Sequence, residues 1–290
     1  MNFFKKLFGI SASEETSAPD ERKSDKEKDF DILKFDGVKA LRQGSFDYAI
    51  ECFTHALNIK QDLETMDYLS QAYLGLEEYA KSYQQLEKLA EAQPDNIAIF
   101  LRMANVAYMM ADYVVMASVC EKALLIDSRS AEALFLYAKS CVGTGDSTNA
   151  VAMLTKAISV KPEFAEAYLL RGEVEMGEDN LDSADSDALY LLEKYPDNEE
   201  TLMLKANIER KRNNSNMAVE YYSKVIAVNP FSQDAYRYRR DLRELTGDEA
   251  GAKSDAEHLA EIMQQQEGAD GSQDIESKVK DIYKNANPFQ

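Results

Sequence analysis

The 290-residue chain carries 52 acidic and 33 basic side chains, a formal net charge of −19 at neutral pH, and is 45% apolar. An acid excess of that size argues against general nucleic-acid binding, and the lack of any run of about 18 apolar residues excludes a membrane-spanning helix. Its three cysteines form no CxxC pair and no Cys/His cluster at ligand spacing, which points away from zinc and disulfides and towards a reducing compartment.

The first ten residues, MNFFKKLFGI, place Phe3, Phe4, Leu7 and Phe8 on one helical face around Lys5 and Lys6. The lysines interrupt the apolar run that a secretory signal needs. What remains is a short amphipathic segment suited to weak contact with a membrane surface or a partner groove. Through residue 29 the chain is polar and charged, and a disordered tether is expected.

From residue 30 to 266 the sequence repeats. The stretch 143–162, GTGDSTNAVAMLTKAISVKP, joins a Gly145-Asp146 turn to a helical face of Ala150, Leu154 and Ala157 and closes on Pro162. Steps of 34 from Ala150 reach Ala184, Ala218 and Ala252, and steps from Pro162 reach Pro196 and Pro230. Large apolar residues keep the same phase early in each first helix, at Leu33, Met66, Phe100, Leu134, Tyr168, Leu202 and Tyr236. Small residues follow at Gly37, Ser70, Ala104, Ala138, Gly172 and Ala206, with Arg240 the exception, and the second helices carry Ala49, Ser82, a bulky Met116 and then the alanines above. Repeat two starts one residue early, at Leu63, and the phase is unbroken from Ile97 onward. Residues 267–274, EGADGSQD, read as a linker, and 275–290 as a final amphipathic helix in which Ile275, Val279 and Ile282 cap the last repeat.

This pattern resembles the tetratricopeptide repeat family over roughly residues 30 to 266. The resemblance implies an all-α fold, a right-handed superhelical solenoid of about seven helix-turn-helix repeats with a C-terminal capping helix. An Ala or Gly at each crossing lets antiparallel helices approach to about 8–10 Å. It also implies a non-enzymatic scaffold or adaptor, with no cofactor or metal. No phosphate-binding loop is present, and His55 and His258 stand among charged neighbours, where a solvent-facing role is expected. Cys52, Cys120 and Cys141 fall at or beside core positions.

In that family the first helices line the concave face and present set repeat positions to a bound peptide. Carried over, these are Arg102, Asn105 and Tyr108 in repeat three, Lys139 in repeat four, Asn207, Arg210 and Lys211 in repeat six, and Arg237, Tyr238 and Asp241 in repeat seven. The carboxylate clamp of chaperone-binding members is not expected: Lys34 and Arg102 match it, but Val38, Tyr68 and Ala98 do not. Residues 203–243 hold nine Lys/Arg against four Asp/Glu. Arg171 and Arg239 share a repeat position, and Asp187 and Asp255 recur sixteen residues after them, which predicts intra-repeat ion pairs. Arg210, Lys211 and Arg237 have no partner by register and are expected to converge as the docking site for a protein or an extended, acidic peptide. The alternatives are a peripheral-membrane tether through residues 1–10 and a nucleic-acid binder through 203–243. A cytoplasmic monomer, peripheral to a membrane if the N-terminal segment engages one, completes the expectation.

Overall fold

The computed structural model describes the backbone of residues 19–264 and the side chains from residue 25. The amphipathic N-terminus, the linker 267–274 and the capping helix 275–290 lie outside the described residues. Among those described there is no strand. They form two compact units that meet in sequence at Ser128 and Arg129.

Unit 1 contains α1 (Pro19–Arg42), α2 (Phe46–Ile59), α3 (Leu63–Gly75), α4 (Tyr79–Ala92), α5 (Ile97–Met109) and α6 (Tyr113–Ile126). Unit 2 contains α7 (Ala131–Thr144), α8 (Ser147–Val160), α9 (Ala165–Gly177), α10 (Leu181–Lys194), α11 (Glu199–Lys211), α12 (Ser215–Val228) and α13 (Gln233–Thr246), followed by α14 over residues 249–264. Within each unit every helix packs on the next, so the elements are stacked antiparallel hairpins. The all-α repeat architecture expected from the sequence is what the chain adopts. One boundary moves: α1 begins at Pro19 rather than at residue 30. Proline is tolerated in a first helical turn, and the Glu- and Lys-rich stretch behind it consists of good helix formers, so the helix extends into the segment expected to be a tether.

Polar caps set the helix starts. Asp62, Asp112, Ser130, Asp146 and Asn198 each accept a hydrogen bond from the backbone N–H three residues on. The turn inside each hairpin carries one left-handed residue: Gly44, Glu77, Ala111, Gly145, Asp179, Asn213 and Gly247, all with φ between 54° and 82°. Their spacing of 33 once and 34 thereafter reproduces the early start of repeat two.

Close approach explains the small residues. A Cβ built on Gly37 would lie 2.5 Å from the Phe53 ring, and one on Gly172 would lie 2.8 Å from Leu204. Ala49, Ala104, Ala138, Ala150, Ala184, Ala206 and Ala218 are fully buried, and Met116 is accommodated with no exposure. Ser82 donates to the Ser70 carbonyl at 2.8 Å and Ser70 to the Asp67 carbonyl of its own helix at 2.7 Å, so neither of the serines that replace alanine in repeat two buries an unpaired hydroxyl. All three cysteines are buried and none is in a disulfide. Arg240, which breaks the small-residue rule, turns outward to Asp241 and Glu244.

Because Ala150 has no exposed surface, Ala150→Leu is expected to overpack its crossing and destabilise unit 2 by about 1–3 kcal/mol. Lys156→Gln, on the exposed side of the same helix, is expected to shift the urea midpoint little. Equal shifts would contradict the register.

Candidate functional site

In unit 1, Arg102 of α5 reaches back to α3. Its guanidinium pairs with Asp67 and donates to the Ser70 hydroxyl at 2.7 Å, and it lines a cavity of about 450 Å³ with Glu64, Asn96 and Ile99. Arg102 is thus a strut between first helices. Asn105 is exposed and donates to its own helix at the Leu101 carbonyl. Tyr108 is exposed and meets Tyr113 edge-on at 6.2 Å.

Lys34 is likewise committed, to Asp62 at 2.9 Å and to Glu64. Burial alone would raise the Asp62 pKa, but hydrogen bonds from Lys34 and Thr65 outweigh it and hold the carboxyl at about 2. A depressed carboxylate stabilises the fold above its unfolded pKa and loses that contribution as pH falls. Asp62 should therefore contribute about 1–2 kcal/mol at neutral pH, lost between about pH 4 and pH 2. Asp62→Asn should flatten acid unfolding across that window, and an unchanged acid profile would remove the assignment.

In unit 2, Lys139 is half-buried on α7. The two first helices α9 and α11 pack on each other and enclose a cavity of about 220 Å³ lined by Glu173, Met176, Glu199, Glu200, Met203, Leu204 and Asn207. Glu173 is open to solvent yet surrounded by protein, and that burial together with the Glu200 carboxylate pushes its pKa up.

Beside this acidic end lies a cluster around Arg210. Tyr222 of α12 is fully buried and sends its hydroxyl to the first-helix face, donating to Asn207 at 2.7 Å and accepting from the Arg210 Nε at 3.1 Å. Burial raises the Tyr222 pKa to about 12 despite the nearby Arg210 charge, so the hydroxyl stays protonated and keeps both bonds. The Arg210 guanidinium also lies over the Tyr238 ring at 4.5 Å. Asn207, Arg210 and Tyr238 are therefore brought together.

Lys211 and Arg237 do not join them, contrary to the expectation that all three cations lack partners. Lys211 turns to the end of α9, donating to the Met176 carbonyl at 2.7 Å with Asp179 at 3.6 Å. Arg237 pairs with Asp234 one turn away at 2.8 Å. Register hid these partners because they lie on the preceding first helix and on the same helix, not at the second-helix position considered.

The expected pairs Arg171–Asp187 and Arg239–Asp255 form, at 2.7 and 2.6 Å. Each arginine also donates across to the preceding second helix, to Thr155 at 3.0 Å and to Ser223 at 2.9 Å. At the equivalent position of the intervening repeat stands Lys205, buried at 5% exposure between Asp185 and Glu209. Arg212 closes that network onto Asp182 and Asp185. Burial alone would lower the Lys205 pKa, but the two carboxylates outweigh it and raise it. The sequence reading missed this network and the role of Tyr222. A signal for the latter existed: the buried position that holds Tyr222 holds Phe53, Leu86, Cys120, Leu154 and Ala188 in earlier repeats, and a hydroxyl at such a position needs a polar partner.

Hairpins stacked with a 34-residue period and left-handed turns in phase define a tetratricopeptide-type solenoid. The tetratricopeptide repeat family model matches residues 131–164 and 199–232, which are the α7–α8 and α11–α12 hairpins in the phase read from Ile97. The chain thus contains tetratricopeptide repeats. No curated protein matches the sequence significantly. Among solved structures it is similar to PilW, a widely conserved type IV pilus biogenesis factor, with 17% identity over 69% of this chain and 93% of that one and a TM-score of 0.61. YrrB, a TPR protein with an unusual peptide-binding site, aligns with 19% identity, 66% and 99% coverage and a TM-score of 0.54. MamA from Desulfovibrio magneticus RS-1, from residue 41 to its end, aligns with 17% identity, 57% and 94% coverage and a TM-score of 0.53. At these identities the likeness is one of fold.

Proposed function

We propose that this protein is a non-enzymatic scaffold, and that unit 2 holds an extended segment of a partner protein along α9, α11 and α13 with a carboxylate of that segment on Arg210. One observation carries the reading. Of the nine cations in residues 203–243, eight pair with carboxylates. Arg210, exposed and oriented by Tyr222, Asn207 and Tyr238, is the one with no carboxylate on it among the described residues. In a chain at −19, a cation held in place without an acid is suited to receive one from outside.

The same pairing removes most of the basic surface that a nucleic-acid reading of 203–243 requires. The carboxylates of Glu173, Glu199 and Glu200 beside the cluster oppose a run of acids, so the geometry favours a segment with a single acidic group rather than a strongly acidic one. YrrB, which shares the fold, has a peptide-binding site by its description.

The partner is to be captured from the native cell and its binding measured by calorimetry. Arg210→Ala is expected to weaken binding about 10- to 100-fold, the loss of one charge-assisted hydrogen bond, and to flatten its salt dependence. Arg237→Ala, already neutralised by Asp234, is expected to change affinity little. Equal affinities and salt slopes for wild type and Arg210→Ala would return Arg210 to the solvated surface.

A further inference from the structure

The first hairpin has an open groove of about 590 Å³, lined by Leu33 of α1 and by Tyr48, Cys52, His55 and Ile59 of α2, with Glu51 at its edge. In a later hairpin the equivalent positions are covered by the hairpin before it. Asp187, equivalent to Cys52, holds the Arg171 that bridges to Thr155 of α8, and Tyr190, equivalent to His55, donates to the Pro162 carbonyl at 2.8 Å. No described repeat precedes α1, and the end of a stack needs its apolar face closed.

We propose that residues 1–10 of this chain close it, laying Phe3, Phe4, Leu7 and Phe8 into the groove between α1 and α2. The dimensions agree. From Tyr48 to Ile59 the α2 stripe runs about 16 Å, and a ten-residue helix is about 15 Å long. From Pro19 back along α1 to Leu33 is about 21 Å, and the ten residues between Phe8 and Pro19 span up to about 33 Å. Charge agrees as well: Asp36 lies close enough to Tyr48 and Cys52 to act on both electrostatically, so it and Glu51 flank the groove with negative charge opposite Lys5 and Lys6. Tethering raises the local concentration of the segment to the millimolar range, so modest intrinsic affinity suffices.

The test compares amide hydrogen exchange of the full chain with that of a variant lacking residues 2–10. Removal is expected to speed exchange in α2 about tenfold while α7–α13 stay unchanged, with both proteins monomeric by light scattering. Lys5→Glu with Lys6→Glu, which leaves the chain length intact, should move α2 in the same direction. Unchanged α2 exchange in both variants would overturn the proposal. So would a change from dimer to monomer on deletion, which assigns the groove to a second copy. Binding of the full chain to phosphatidylglycerol vesicles with no change in α2 exchange on deletion would overturn it in favour of a lipid surface.

Discussion

Lys205→Met is expected to destabilise unit 2 by about 3 kcal/mol, the lower end of the range for breaking a buried ion pair. The lysine is 7% exposed at its side chain and Glu209 is 6% exposed, so removing the cation leaves a carboxylate with little access to water. Arg212 remains at 2.9 Å from Asp185 and 3.6 Å from Glu209 and limits the loss. Lys205→Met with Glu209→Leu should recover most of it, since an apolar pair of similar volume replaces a desolvated ionic one. Urea unfolding of the three proteins decides the matter. A double variant as unstable as the single one would show that the charge of Glu209 is not what Lys205 compensates.

How much of this was open to a reader of the sequence depends on the range of the interaction. Small residues such as Gly37, Ala150 and Gly172 mark crossings because backbone proximity leaves no alternative, and their phase alone located the hairpins. Arg171–Asp187 and Arg239–Asp255 were legible for the same reason, as a pair repeated at one offset. Lys211 and Arg212 were not, because Asp179, Asp182 and Asp185 reach them from the preceding hairpin with no repeated counterpart. The left-handed turn residues were half-hidden: Gly44, Gly145 and Gly247 announce themselves, whereas Glu77, Ala111, Asp179 and Asn213 adopt the same φ without a glycine. The Arg210 cluster depended on a tyrosine hydroxyl crossing from a second helix to the first-helix face, which no one-dimensional register displays.

Asp255→Ala is expected to produce a second large loss, about 3–5 kcal/mol. Its carboxylate is 1% exposed and accepts from Arg239 at 2.6 and 3.1 Å and from Arg243 at 2.8 Å. Three charge-assisted bonds tie α13 to α14, while the apolar contact there is a small cluster of Tyr236, Leu259 and Ile262. The loss should therefore be local: hydrogen exchange in residues 249–264 should accelerate far more than in α7–α10. Uniform acceleration across unit 2 would show that α14 is not held mainly by this carboxylate.

The alternation of charged side chains along unit 2 limits how the chain can change length. Arg171 with Thr155 and Asp187, then Lys205 with Tyr221 at the acid's position, then Arg239 with Ser223 and Asp255, form an electrostatic unit of two repeats laid over an apolar unit of one. Excising residues 172–205, a single repeat, would keep every alanine crossing in phase yet set Arg171 opposite Tyr221 instead of Asp187. Excising two successive repeats would restore an aspartate at that place. Removing two successive hairpins from this half of the molecule is therefore expected to cost less stability than removing one.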